Sequence, residues 1–260
     1  MTSATVTGLA DAWRRIGVTD GNTVLVHAAL SSLGPVTGGA ETVVASLCAA
    51  VGETGNVVVP TFTPQVTDPE PEARTPTARL CRRRDAVEVF HPGLPSAMGA
   101  IPEALRALPE AVRSAHPQVS VAAVGRDAPA IVSGQPLGFA VGPGSPFDRV
   151  HDLDGWILLI GVGHDRNTFL HYAESQTPKP RLKLRRFPTL IDGERVWLET
   201  VDVADDNGRY FPLVGGEFET SFDIPEVMVG QAACRLIPAR QLVSFAVPRL
   251  TELLAEAAAE

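Results

Sequence analysis

The stretch TVLVHAALSSLGPVTGGAETVVASLCAAVGETGNVVVP, Thr23–Pro60, decides the fold class. Thr23–His27 is rich in β-branched residues and reads as a strand. AALSSLGPVTGGA is a loop of small residues, and Glu41–Val51 carries the apolar content of a helix. GETGN makes a turn, and Val57–Pro60 reads as a second, buried strand. Strand, loop, helix and strand in that order form a βαβ unit. The unit predicts an α/β fold with parallel pairing.

Working outward, Leu9, Trp13 and Ile16 are apolar at helical spacing, and Gly17 stops that helix. Phe62–Gly93 is rich in Pro, Thr, Arg and acids and lacks periodicity, an excursion of a length that is usually functional or mobile. Met98–Leu108 reads as a helix, provided that Pro102 sits in its first turn. Val119–Val124 follows as a strand, Ala128–Ser133 as a short helix, and Gly134–Asp148 as a Gly/Pro-rich connection. Trp156–Val162 (WILLIGV) is apolar throughout and reads as a central strand, with Thr168–Ser175 as the next helix. Leu190–Val203 suggests a hairpin turning at Asp192-Gly193. The C-terminal segment reads as one or two short helices and a strand, ending in a helix over Pro248–Ala259. With no linker or repeat in view, residues 1–260 read as a single domain with the excursion at 62–93.

Composition narrows the function classes. The chain has 260 residues, 45% of them apolar, and 22 Lys+Arg against 30 Asp+Glu give a formal net charge of -8. That balance argues against a nucleic-acid binder, which needs a basic face. It suits a cationic partner, although many soluble proteins are equally acidic. Three cysteines, Cys48, Cys81 and Cys234, form neither a disulfide framework nor a metal-binding spacing. Cys48 lies in an apolar run, where a buried free thiol is the default. No signal peptide and no membrane span are expected, so the reading is a cytoplasmic protein.

The chemistry-bearing motifs are few. P-loop, dinucleotide-binding, nucleophile-elbow and HExxH patterns are all absent. Within GVGHDRNTFLHYAES, His171 and Glu174 are three residues apart and share one helix face. A carboxylate beside an imidazole orients a general base, and the nearby helix N-terminus favours the neutral ring. Asp165 is a candidate third member, and Asn167 or Thr168 can cap the helix. The same spacing also fits a plain surface pair. His164-Asp165 adds possible metal ligands, but partner helices for a metal site are not evident. In His27–Val44, small residues after a strand let an anionic ligand approach the backbone, or make only a tight connection. Arg113, Ser114, His116 and Ser120 cluster polar groups before a strand, and Arg113 suits either a phosphate or a structural ion pair.

Together these stretches resemble the aminoglycoside 3-N-acetyltransferase family. The pieces are LVHAALSSLGPVTGGAETVV, NVVVPTFT, GLPSAMGAIPEALRALPEAVRSAHPQVSVAAVG and GPGSPFDRVHDLDGWILLIGVGHDRNTFLHYAES, in the family's order over most of Leu25–Ser175. GRYFPLVGGEFE, around Tyr210–Glu219, resembles a weaker C-terminal motif, and GVGHDRNTFLHYAE is closest to the apramycin-acetylating branch. The resemblance implies a three-layer α/β/α fold with a mixed central sheet, distinct from the GNAT acetyltransferases. It implies direct acetyl transfer from acetyl-CoA to an aminoglycoside amine in a ternary complex, without a metal. In that scheme His171 is the base, Glu174 its carboxylate, and Asp165 an acidic site position. Ser31, Ser32, Leu33 and Gly34, with Arg113, Ser114, His116, Ser120 and Thr168, would line the acetyl-CoA site. Asp68, Glu217 and Glu219 are expected to contact sugar ammonium groups. His91-Pro92 departs from the family pattern, which has an acid before the proline, and an acceptor other than an aminoglycoside or a non-catalytic binding role stays open.

Overall fold

The computed structural model describes residues 4–73, 75–206 and 208–257. Its centre is a seven-stranded mixed sheet in the order β3-β4-β2-β1-β5-β9-β8. These strands are β1 (Thr23–Ala28), β2 (Asn56–Pro60), β3 (Val112–Arg113), β4 (Val121–Gly125), β5 (Trp156–Ile160), β8 (Val227–Val229) and β9 (Ala232–Pro238). β1 pairs in parallel with β2 and β5, as the βαβ reading requires, while β4 and β9 flank them antiparallel.

Alternation along the strands builds the layers. On β1 and β5, Val24, Val26, Leu158 and Ile160 face one core, while Leu25, Ile157 and Leu159 face the other. The first core is covered by α1 (Val6–Ile16), α2 (Gly39–Val51) and α4 (Ala100–Arg106), through Trp13, Leu47 and Leu105. Trp13 is fully buried, and its indole donates to Ser46 Oγ at 2.8 Å, which satisfies the ring's polar edge. The second core is covered by α5 (Ala128–Val132), α6 (Pro146–Asp152), α7 (Phe169–Ser175), α8 (Phe211–Ser221) and α9 (Ala239–Ala257). The expected α/β/α sandwich with a mixed sheet is therefore present.

Several boundaries differ from the sequence reading, each for a physical reason. α9 begins at Ala239, not Pro248, and carries Pro248 in its interior. Leu242, Ala246, Leu250 and Leu253 bury one continuous stripe on both sides of the proline, which offsets the lost backbone hydrogen bond. The reading's last helical residues, 258 and 259, lie outside the described residues. The Gly/Pro-rich connection ends in α6, whose Ser145 cap accepts from Asp148 N with Pro146 in the first turn. Within the excursion, α3 (Ala78–Asp85) is capped by Thr77. The hairpin is longer than read: β6 (Leu182–Ile191) pairs with β7 (Glu194–Val203) in a separate two-stranded ribbon. Its turn is at Asp192-Gly193 as expected, both with positive φ, 52° and 83°. Cys48 is half-buried, not fully buried, and all three cysteines are free. No described helix is long and apolar enough to cross a membrane.

Candidate active site

β5 ends at Ile160, and the chain turns at Gly161 with φ 61°. A Cβ on Gly161 would lie 1.8 Å from Ser32 Oγ, so only glycine lets the Leu30–Leu33 turn seat against this bend. The polar loop then runs through a short 3-10 turn, His164–Arg166, into α7. Asn167 Oδ1 accepts from Phe169 N at 3.2 Å and so supplies the cap, rather than Thr168. Asn167 Nδ2 in turn donates to His164 Nδ1 at 3.1 Å, and His164 Nε2 donates to Glu219 at 2.9 Å. The His164 ring rests on Gly215, where a Cβ would come within 2.0 Å of it. A chain of hydrogen bonds from α8 thus fixes the N-terminus of α7.

His171 lies one turn into α7 and packs edge-on against Phe211, with ring centroids 4.6 Å apart. Its Nδ1 is buried and has no hydrogen-bond partner. Glu174 shares its helix face, as the spacing requires, but Oε2 stands 3.9 Å from Nδ1, beyond hydrogen-bond reach. The Glu174 carboxylate is fully buried and held by Arg181 through two bonds of 2.8 Å. Arg181 also binds Asp206 at 2.9 Å and covers the Tyr210 ring at 4.9 Å. Burial, opposed by Asp205 and assisted by Lys183, lowers the His171 pKa from 6.5 to about 4. Desolvation therefore keeps this ring neutral, not the helix N-terminus weighed against Glu174.

His171 lines two adjoining cavities. One, of about 450 Å³, is walled by Asp165, Asn167, Thr168, Asp205, Asp206 and Phe211. The other, of about 410 Å³, is lined by Phe62, Gln118, Val141, Lys183, Arg185 and Asp205 among others. Met98 touches both. Asp165 and Thr168 are thus brought to His171, with Asp165 paired to Arg166 at 3.2 Å. Lys183, Arg185, Asp205 and Asp206 were not anticipated. Lys183 and Arg185 alternate with exposed Leu182 and Leu184 on β6, a strand-period signal in the sequence. Burial lowers the Lys183 pKa; for Asp205, burial works upward but the hydrogen bond from Lys183 prevails and lowers it.

Other expected site residues are engaged elsewhere. Asp68 is buried between Arg84 and Arg186, whose hydrogen bonds outweigh its desolvation and hold its pKa at about 2. Glu217 pairs with Arg249 at 2.8 Å, and Glu219 with His164 and Arg235. None of these three lines either His171 cavity, and each carboxylate balances a cation elsewhere. Arg113 is wrapped by the carbonyls of Thr61, Pro92 and Leu94 and by Ser120 Oγ. Ser114 accepts from Val121 N, and His116 Nδ1 accepts from Gln118 N and Val119 N. The Arg113–Ser120 segment builds the wall from behind, and Gln118 and Val119 are what it presents to the cavity. Ser32 Oγ donates to Ala29 O at 2.6 Å, Leu33 is buried, Ser31 is exposed and Gly34 adopts φ 76°. The cavity beside this turn is lined one step upstream, by Val26–Ala29, and not by Ser31–Gly34. Among the described residues, Asp148, His151 and Asp152 bring metal-ligand atoms within 4.8 Å of one another, on α6 and outside these cavities.

The buried imidazoles make stability depend on pH. Burial lowers the pKa of His27 to about 3, and of His116 and His171 to about 4, from 6.5. Below pH 6.5 the unfolded chain binds protons that the native state refuses, so stability is full above that value and lost towards pH 4. The free energy of unfolding should fall between about pH 7 and about pH 5, with a slope approaching ~4 kcal/mol per pH unit for three protons, and the urea midpoint should fall with it. An unchanged midpoint would mean that these rings take up protons without unfolding.

Comparison with known proteins agrees with this geometry. Residues 25–251 match the family described as aminoglycoside 3-N-acetyltransferase. Aminoglycoside N(3)-acetyltransferase VII of Streptomyces paromomycinus is 34% identical, over 96% of this chain and 92% of its own. Aminoglycoside N(3)-acetyltransferase III of a Salmonella species is 35% identical, over 93% of this chain and 90% of its own. Among solved structures, aminoglycoside acetyltransferase AAC(3)-Xa superposes with a TM-score of 0.89 at 34% identity, over 96% of this chain and 93% of its own. AAC-VIa bound to sisomicin gives 0.86 at 32%, over 96% and 98%. A binary complex of AAC-IIIb with CoASH gives 0.85 at 28%, over 96% and 97%. With its α/β/α fold, its half-buried His171 between two cavities and these matches across nearly its whole length, the chain belongs to the aminoglycoside 3-N-acetyltransferase family.

Proposed function

We propose that this chain transfers the acetyl group of acetyl-CoA to the 3-amino group of a 2-deoxystreptamine aminoglycoside, directly and in a ternary complex. The observation that carries the reading is the half-buried His171 imidazole, which lines both an acid-walled cavity and a second one beside it. Asp165, Asp205 and Asp206, ion-paired to Arg166, Lys183 and Arg181, line the first cavity and give it carboxylate oxygens that can accept hydrogen bonds from sugar ammonium groups. The sisomicin-bound and CoA-bound relatives support both substrate classes.

The chemistry follows from the residues. An amine attacks the thioester carbonyl through its nitrogen lone pair, forming the C–N bond and a tetrahedral oxyanion. His171, kept neutral by burial, takes the proton that the nitrogen sheds. Thr168, on the same cavity wall, offers a hydroxyl to the oxyanion. Collapse breaks the C–S bond, and the CoA thiolate recovers the proton. No covalent enzyme intermediate is needed.

A thiol-release assay with acetyl-CoA and apramycin, gentamicin, kanamycin or neomycin tests this directly. The expected result is antibiotic-dependent CoA release and an acetamide at the 3-amine by NMR. Silence across the panel with CoA still binding would point to a different amine as acceptor.

A further inference from the structure

Lys183 is half-buried on β6 and lines the second cavity, and its ammonium donates to Asp205, which lines both cavities. The three acids of the first cavity are balanced differently. Asp206 shares Arg181 with Glu174, so one guanidinium serves two carboxylates. Asp165 pairs with Arg166 at side-chain exposures of 47% and 73%, where water and salt weaken the pair. Asp205 is matched by Lys183, while Arg185, two residues further along the strand, is held by Asp202 and Gln118. A carboxylate holding an alkylammonium is the same contact that a protonated sugar amine would make at this wall. Beneath the dominant effect of burial, Asp205 raises and Lys183 lowers the proton affinity of His171, so the pair stands close to that ring.

We propose that Lys183 sets acceptor specificity by occupying Asp205, so that a substrate ammonium reaches this carboxylate only by displacing the lysine. The inference rests on the aminoglycoside reading above, and it adds a tethered competitor to that site. Lys183 is the displaceable cation: burial, then the repulsion of Arg185, disfavours its charged form, and its four-carbon stem can swing aside. Arg181 is not, since its bonds to Glu174 and Asp206 and its seat over the Tyr210 ring fix it. The consequence is a levelling of preference. An acceptor with a hydroxyl at this place leaves the ion pair intact, and one with an ammonium exchanges one ion pair for another. Without the lysine, the ammonium would gain a charge-assisted hydrogen bond that the hydroxyl cannot match.

The test compares wild type with Lys183→Met, which keeps the length of the side chain and removes its charge, and with Lys183→Arg, which keeps the charge. Lys183→Met should lower the KM and the calorimetric Kd for neomycin about tenfold, with the KM for acetyl-CoA within about twofold. Lys183→Arg should keep the wild-type values. Adding Asp205→Asn to Lys183→Met should abolish the gain, because the carboxylate that the lysine uncovers is then gone. Exposed Lys179 lines neither cavity, so Lys179→Met makes the same change of net charge and should leave the neomycin Kd within about twofold. Should methionine unfold the ribbon, Lys183→Gln carries the same expectation. A folded Lys183→Met enzyme whose neomycin KM and Kd are unchanged or raised would overturn the proposal. A rise confined to the KM for acetyl-CoA would overturn it too, by giving Lys183 to the acyl donor. If wild type acetylates no aminoglycoside, the functional reading fails instead, and the neomycin Kd of the variants still decides this inference.

Discussion

Replacing His171 with alanine should lower kcat about a thousandfold, with both KM values within about threefold of wild type. General-base catalysis contributes on the order of 10²–10⁴ in rate, and no neighbouring group can stand in for the imidazole. Asp165 is tied to Arg166, Asp205 to Lys183, and Asp206 to Arg181. The pH profile gives a second reading of the same group. Because His171 is neutral down to about pH 4, its acid limb in kcat/KM lies near that value. A limb across the neutral range is therefore expected to belong to the acceptor amine, and it should move when aminoglycosides of different amine basicity are compared. A His171→Ala enzyme that retains kcat would remove His171 from the proton transfer altogether.

Truncating Glu174 to alanine should unfold the protein more readily before it affects chemistry. Its carboxylate is fully buried and balances Arg181, which also binds Asp206. Removing one partner of a buried ion pair costs about 3–5 kcal/mol, because the remaining charge is stranded. For a chain of this size that corresponds to a fall in Tm of roughly 10 °C. The exposed pair Arg14–Asp11 is the control, since truncating it should cost no more than ~1 kcal/mol. With Oε2 3.9 Å from His171 and both oxygens held by Arg181, Glu174 is expected to position the site and not to exchange a proton. A Glu174→Ala protein with wild-type Tm but a thousandfold lower kcat would reverse that assignment.

Much of this architecture was readable from residues close together in sequence. The βαβ unit of Thr23–Pro60, the central strand and the His171 helix all depend on local periodicity, which the chain displays openly. The spacing of His171 and Glu174 correctly put them on one face. It could not show that Arg181, beyond the helix end, would claim the carboxylate. The same limit applies to Asp68, Glu217 and Glu219. Their acidity suited an ammonium group, but the partners that neutralise them come from Arg84 and Arg186, Arg249, and His164 and Arg235. Pairing across such separations is a tertiary fact. α9 was misread because Pro248 is a strong local stop, overridden by burial on either side.

The β6–β7 ribbon has a consequence for how such an enzyme diversifies. It shares no strand pairing with the seven-stranded sheet, and it holds itself by Phe187 packed on Val66 and Leu94. Arg195 fastens its turn end to the backbone carbonyls of Arg84, Asp85 and Val87. Yet this ribbon supplies Lys183 and Arg185, and the segment leaving it supplies Asp205 and Asp206. The half of the site that carries His171 is thus built on one scaffold, and most of the charged wall opposite it on another. Selection can revise that wall, and with it the choice of acceptor, without disturbing a single register in the sheet beneath the helix that carries the imidazole.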